Sequence, residues 1–343
     1  MAAHQTDFIN PNNINMQMDR LHPSSLCIPH LFDLIRPSIG WELSNLTTPD
    51  IPLALAAVWD DYSQSLYFIN MASSGMQSSI FRYSDLDGIF YSAYIEGVSA
   101  PSFIMPIKDE CDKMAKCNVC GYRLFAVGVD HSVLIIKWNG KSTKAKVVST
   151  LLTLEQNMPL SRTNFARADN KGRLYGGTLS RKFCNITASE GFYRYKKTAG
   201  VDLLFNGLFS TSGVVFNEDL NKIYQLDTCT GFIAEFDWDP KTGDIYILEN
   251  ALAKWFSGTG GLADVYDIKV PGISGMALGG PNRDIMYVIA GSEIVNVYST
   301  AVVKQITEGT SIFVLRGIGA MGQPSTSLSI KGQNNDCNKC GSH

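Results

Sequence analysis

From Gly40 onward the chain is written in short runs in which apolar and polar positions alternate. Residues 65–70 (SLYFIN), 79–83 (SIFRY) and 89–95 (IFYSAYI) are rich in aromatic and β-branched side chains. Gly, Asp and Asn punctuate them, which predicts β-strands separated by turns. No window of 18 residues keeps a helical period. The period-two alternation through FRYSDLDGIFYSAYI predicts antiparallel strands with one wetter face.

The texture repeats. A turn cluster followed by a strand that opens with Leu, Ile or Met next to an aromatic occurs at Leu66, Leu124, Leu174, Ile223 and Met286. The intervals are 58, 50, 49 and 63 residues. Behind each landmark a second strand is expected, at residues 81–83, 135–138, 192–195, 233–236 and 295–298. A strand-only period near 50 residues is the signature of a β-propeller built from four-stranded blades. A blade cannot bury both faces alone, and a closed ring of blades lets it do so.

Residues 1–38 read differently. They are polar, Asn-rich and punctuated by Pro, with one short apolar piece at Ile28 to Ile35. The expectation is an extended N-terminal arm, with a short helix at residues 30–35, that orders against a protein partner or a second copy of the chain. The propeller is expected over residues 39–330 and a C-terminal tail over 331–343.

Composition narrows the function classes. Of 343 residues, 45% are apolar, enough for a sizeable core. Lys and Arg number 29 against 32 Asp and Glu, for a net charge of −3, which argues against nucleic-acid binding. The longest apolar run, residues 53–59, is too short to span a membrane. The first thirty residues contain no apolar signal-peptide core, so the expected location is cytoplasmic. Two sequons, at Asn45 and Asn185, carry little weight beside that reading.

Residues 158–178, MPLSRTNFARADNKGRLYGGT, resemble a segment of the regucalcin / senescence marker protein / gluconolactonase family, which includes luciferin-regenerating enzymes. Further matches follow in the family's order at residues 57–60, 222–227, 236–243, 278–288 and 312–319. The resemblance implies an all-β, six-bladed propeller with a divalent metal in its central channel and lactone hydrolysis assisted by that metal. The interval of 63 residues between Ile223 and Met286 is too short for two blades, so the fifth blade is expected to be eroded, with a five-bladed ring as the alternative.

Carried over residue by residue, the family's metal site is degenerate. Leu55 stands where the family has a Glu, Ser212 where it has an Asn, and no counterpart of the third ligand, an Asp, is found. Phe205-Asn206-Gly207-Leu208 reproduces an Asn-Gly-Leu, six residues too early. Arg162 and Asn164 match the family's substrate-contacting Arg-x-Asn, but the residues after them have become Phe165, Ala166 and Arg167. No channel calcium is expected, and a channel that keeps Arg162 without carboxylates would favour a small anion.

A second constellation is independent of the family. Cys117-Asn-Val-Cys120-Gly and Cys337-Asn-Lys-Cys340-Gly repeat one motif with zinc-knuckle spacing. The four thiolates are expected to hold a structural zinc that clips the tail to the ring, with disulfides or free thiols as alternatives. Cys111 and His343 are spare ligands, and Cys27, Cys184 and Cys229 read as buried thiols. The expected function is therefore a propeller that has lost the lactonase site and acts as a non-catalytic structural or binding subunit. The alternatives are a metal-dependent sugar-lactone hydrolase, a calcium-binding regucalcin, or a small-anion-binding propeller.

Overall fold

The computed structural model describes residues 42–46, 48–108, 121–182, 190–217, 221–227, 229, 232–246, 274–290, 310–317 and 321–330. Among these every regular element is a strand. The first, β1 (Glu42–Leu46), belongs to the last blade. Blade I is β2 (Ala54–Asp60), β3 (Ser65–Asn70), β4 (Ile80–Ser84) and β5 (Ile89–Ile95). Blade II is β6 (Phe103–Pro106), β7 (Arg123–Val129), β8 (Ser132–Trp138) and β9 (Lys144–Thr153). Blade III is β10 (Ser161–Ala168), β11 (Leu174–Ser180), β12 (Glu190–Lys196) and β13 (Gly200–Leu208). Blade IV is β14 (Gly213–Asn217), β15 (Lys222–Asp227), β16 (Phe232–Trp238) and β17 (Ile245–Tyr246). Blade V is β18 (Gly275–Gly279), β19 (Ile285–Ala290) and β20 (Ser311–Arg316), completed by β1.

Each blade is an antiparallel meander. A parallel bridge from Tyr94 and Ile95 to Lys144 and Ala145 links the outer strands of blades I and II into one eight-stranded sheet. Inner strands neighbour one another in the order β18, β2, β6, β10, β14 and line the channel. The described residues thus hold five four-stranded blades. Residues 247–273, where the eroded blade was expected, lie outside them, as do the arm (1–38) and the tail (331–343).

The core lies between blades, and the strand period builds it. All six residues of β3 are buried. Leu66 and Phe68 point into the core shared with blade V, beside Tyr287 and Ile312. Tyr67 and Ile69 point the other way, into the core shared with blade II, beside Phe125 and Trp138. One strand therefore feeds two cores, because successive side chains leave a pleated strand on opposite faces. The wetter face expected for this region is confined to β5; in β4 both faces are covered.

Four of the five predicted landmark pairs are neighbouring strands: β3 with β4, β7 with β8, β11 with β12, and β15 with β16. The second strand expected behind the fifth landmark, at residues 295–298, lies outside the described residues, and β19 is flanked by β18 and β20.

The seam between blades V and I is closed by chain ends from opposite directions. β1 pairs with β20 from Glu42↔Arg316 to Leu46↔Ile312. Trp59 of β2 stacks on Tyr287 of β19, with ring centroids 5.3 Å apart and planes 11° off parallel. Gly279 makes room for that stack: a Cβ there would lie 2.2 Å from the Trp59 ring. Urea denaturation should find Trp59→Ala destabilised by about 3–5 kcal/mol through the cavity left at the seam. Gly279→Ala should cost about 1–3 kcal/mol through overpacking. A neutral Gly279→Ala would show that the indole is not held there.

Candidate functional site

Two of the inner strands are irregular. The pairing of β2 with β3 shifts register between Leu55 and Val58, and Ala56 takes a left-handed φ of 55°. The pairing of β10 with β11 shifts between Thr163 and Ala166. Such bulges break the alternation and turn adjacent side chains the same way. Consequently Leu55, Ala56 and Ala57, and likewise Asn164 and Phe165, line one cavity of about 430 Å³.

This cavity collects several of the sequence-derived candidates. Leu55, Ser212 and Asn164 all line it. The Asn164 amide donates to the Thr211 carbonyl at 2.8 Å, which fixes its orientation. Arg162 goes elsewhere. It is 2% exposed, and its Nη2 donates to the Ala100 carbonyl in the loop between blades I and II. Asn206 lies exposed on β13, the outer strand of its blade, opposite Gly191, so it does not serve the channel.

The cation that faces the cavity is one the sequence reading passed over. Arg167 lines both this cavity and a second one, of about 760 Å³, that continues the channel past the ends of the inner strands. It is open to a water-sized probe. Burial nevertheless pulls its pKa below the usual guanidinium value, and no acidic group counters that shift. The surface it exposes therefore faces the channel interior rather than bulk solvent. A possible signal was its position in the resembling segment, two residues beyond Phe165.

The described wall does not suit a hard divalent cation, which takes several anionic oxygens. Among the described residues no three His, Cys, Asp or Glu side chains converge. Leu55 offers no donor, and the Ser212 hydroxyl is engaged with Ser210 at 3.0 Å. Asp169, at the second cavity, is neutralised by Arg173. The zinc ligands Cys117, Cys120, Cys337 and Cys340, with Cys111, Cys184, Cys27 and His343, lie outside the described residues. Cys229 is corrected: it is disulfide-bonded and half-buried, not a buried thiol. The default to reduced thiols missed this because a lone cysteine in sequence carries no trace of a distant partner.

A polar cluster in blade III also went unread. Glu155, held at φ 45°, accepts from the Tyr193 hydroxyl at 2.8 Å, the Thr178 hydroxyl at 3.0 Å and the Gly191 amide at 3.0 Å. Ser161 Oγ touches carboxylate oxygens of both Glu155 and Glu190, the latter at 2.7 Å. One hydroxyl has one proton, so serving two carboxylates requires a second proton on one of them. Burial first, and then the neighbouring Glu155 charge, raise the pKa of Glu190, which identifies it as the protonated partner.

Between the ordinary carboxylate range and that raised value the folded chain keeps a proton that the unfolded chain releases. Stability from this site is therefore present at low pH and lost as pH rises through the window. Thermal melts at pH 5 and pH 8 should show a smaller drop for Glu190→Gln than for the parent chain. Parallel slopes would place the shared proton elsewhere.

The family model for the SMP-30/gluconolactonase/LRE-like region matches residues 53–252, more than half of the chain. YvrE of Bacillus subtilis (strain 168), provisionally named as a sugar lactone lactonase, is 30% identical over 122 residues. That match covers 36% of this chain and 40% of YvrE. A luciferin-regenerating enzyme superposes with a TM-score of 0.65 at 16% identity, over 85% of this chain and all of that one. A calcium-binding regucalcin from Agrobacterium tumefaciens strain C58 gives 0.57 at 18% identity, over 82% and 96%. At these identities the two structures speak for the fold.

Proposed function

The chain belongs to the SMP-30/gluconolactonase/LRE-like family, and from that premise we propose that it is a non-hydrolytic member, a propeller that binds a small organic ligand in its central channel. The observation that carries this reading is the cavity wall. The positions that the family resemblance assigns to a Glu and an Asn are Leu55 and Ser212, and they face the same cavity as Asn164. Neither brings a carboxylate or an amide to that wall.

The consequence is chemical. Opening a lactone needs an electrophile to polarise the carbonyl and a base or metal to activate water. Asn164 is spent on the Thr211 carbonyl, and no carboxylate, histidine or thiol among the described residues lines the cavity beside it. What the wall retains is a shaped, largely apolar pocket with one cation. Pockets of about 300–1,000 Å³ suit small molecules.

A second reading, sugar-lactone hydrolysis, is favoured by family membership and by the name of YvrE. One experiment separates the two. The full chain is incubated with glucono-δ-lactone and, in turn, calcium, magnesium, manganese or zinc, and acid release is followed by a pH indicator. The expected rate equals that of buffer and metal alone. Hydrolysis stimulated by a metal and abolished by chelator would establish the second reading instead.

A further inference from the structure

We infer that the central channel is a binding site for a monocarboxylate with an apolar body, its carboxylate held by Arg167. This inference rests on the proposed binding function and names the ligand class for the same channel. Three observations lead to it.

The first is the unanswered charge. Other described arginines in the blades are answered, Arg162 by the Ala100 carbonyl and three more by carboxylates. Arg173 pairs with Asp169, Arg194 with Asp202 and Asp244, and Arg123 with Asp60. Arg167 has no ion pair among the described residues, yet it is drawn out of bulk water. A guanidinium stays charged under these conditions and presents a flat fork of N–H donors that matches a carboxylate.

The second is its place. Arg167, Val215 and Met276 line both cavities, so Arg167 stands at the waist between the two chambers. An anion bound there would leave the rest of its ligand in the 430 Å³ chamber.

The third is the lining of that chamber. Leu55, Phe165, Leu179, Val214, Leu226 and Met276 face it. Its polar side chains are occupied by protein. Ser102 bonds Thr163 at 3.0 Å, Ser274 donates to the Ala54 carbonyl at 2.7 Å, Ser212 bonds Ser210, and Asn164 donates to Thr211. A polyhydroxylated sugar acid would bury hydroxyls there with few partners, at about 1–3 kcal/mol for each one left unsatisfied. An alkyl or aryl body incurs no such penalty and gains from burial.

Calorimetric titration of the full chain with sodium octanoate, 1-octanol and sodium gluconate tests this. Octanoate should bind with one site per chain, at least tenfold tighter than either of the others. Arg167→Met should reduce octanoate affinity at least tenfold and leave octanol unchanged, with the circular-dichroism melt confirming a folded variant. Arg167→Lys, which keeps the charge, should retain most of the affinity and serves if the Met variant fails to fold. Absent binding, several weak sites, equal affinity for octanol, stronger gluconate binding, or indifference to both Arg167 variants would overturn the inference. Metal-dependent lactone hydrolysis would instead overturn the functional reading beneath it, so the two failures are told apart.

Discussion

A four-stranded blade has two apolar faces and can cover neither by itself, and this constraint organises the molecule. Buried strands such as β3 send alternate side chains into different interfaces, so the large cores are shared between blades, and blade V alone adds a small cluster around Val288, Ala290 and Leu315. Removing one blade would uncover two neighbours. That is why the blade V seam recruits β1 from the opposite end of the described chain, and why Trp59 and Tyr287 stack across it. Hydrogen bonding and aromatic packing fasten the same joint, one along the strand edge and the other across the faces.

The channel escapes this constraint. The faces between blades are fixed by packing, whereas residues turned toward the axis by the bulges in β2 and β10 only border those cores and also line the cavity. Chemistry there can change while the fold persists. Leu55 illustrates the freedom. It lines the cavity and also borders the core between blades I and II, where an aliphatic side chain is at home and an ionised one would need a counter-charge.

Legibility followed the same division. The middle strands of each blade are buried on both faces and therefore rich in aromatic and β-branched residues, so their repeat could be read directly from the sequence. The inner strands have no common composition, from FIMP in β6 to GMALG in β18, so they announce little. Counting along the resembling segments nevertheless placed Leu55, Asn164 and Ser212 in one cavity. It failed to separate Arg162 from Asn164. Two residues apart in a regular strand means one face, but the ladder of β10 breaks just after Thr163, and the two side chains part. The Glu155–Glu190 cluster was illegible for another reason: its members come from a loop and three strands, brought together only by blade III.

Two charged features of the interior now invite opposite interpretations from one principle. The Tyr193, Thr178 and Ser161 hydroxyls and the Gly191 amide are directed at the Glu155 and Glu190 carboxylates, and burial and the Glu155 charge push the Glu190 pKa up. A buried polar network satisfied this fully explains its own retention, because breaking any member would orphan the others. Arg167 is the reverse case. Its desolvation is offset by no acid among the described residues. Among the described residues no carboxylate answers that charge, and the proposed ligand, a negative charge on an apolar body, would supply one at the waist of an apolar channel.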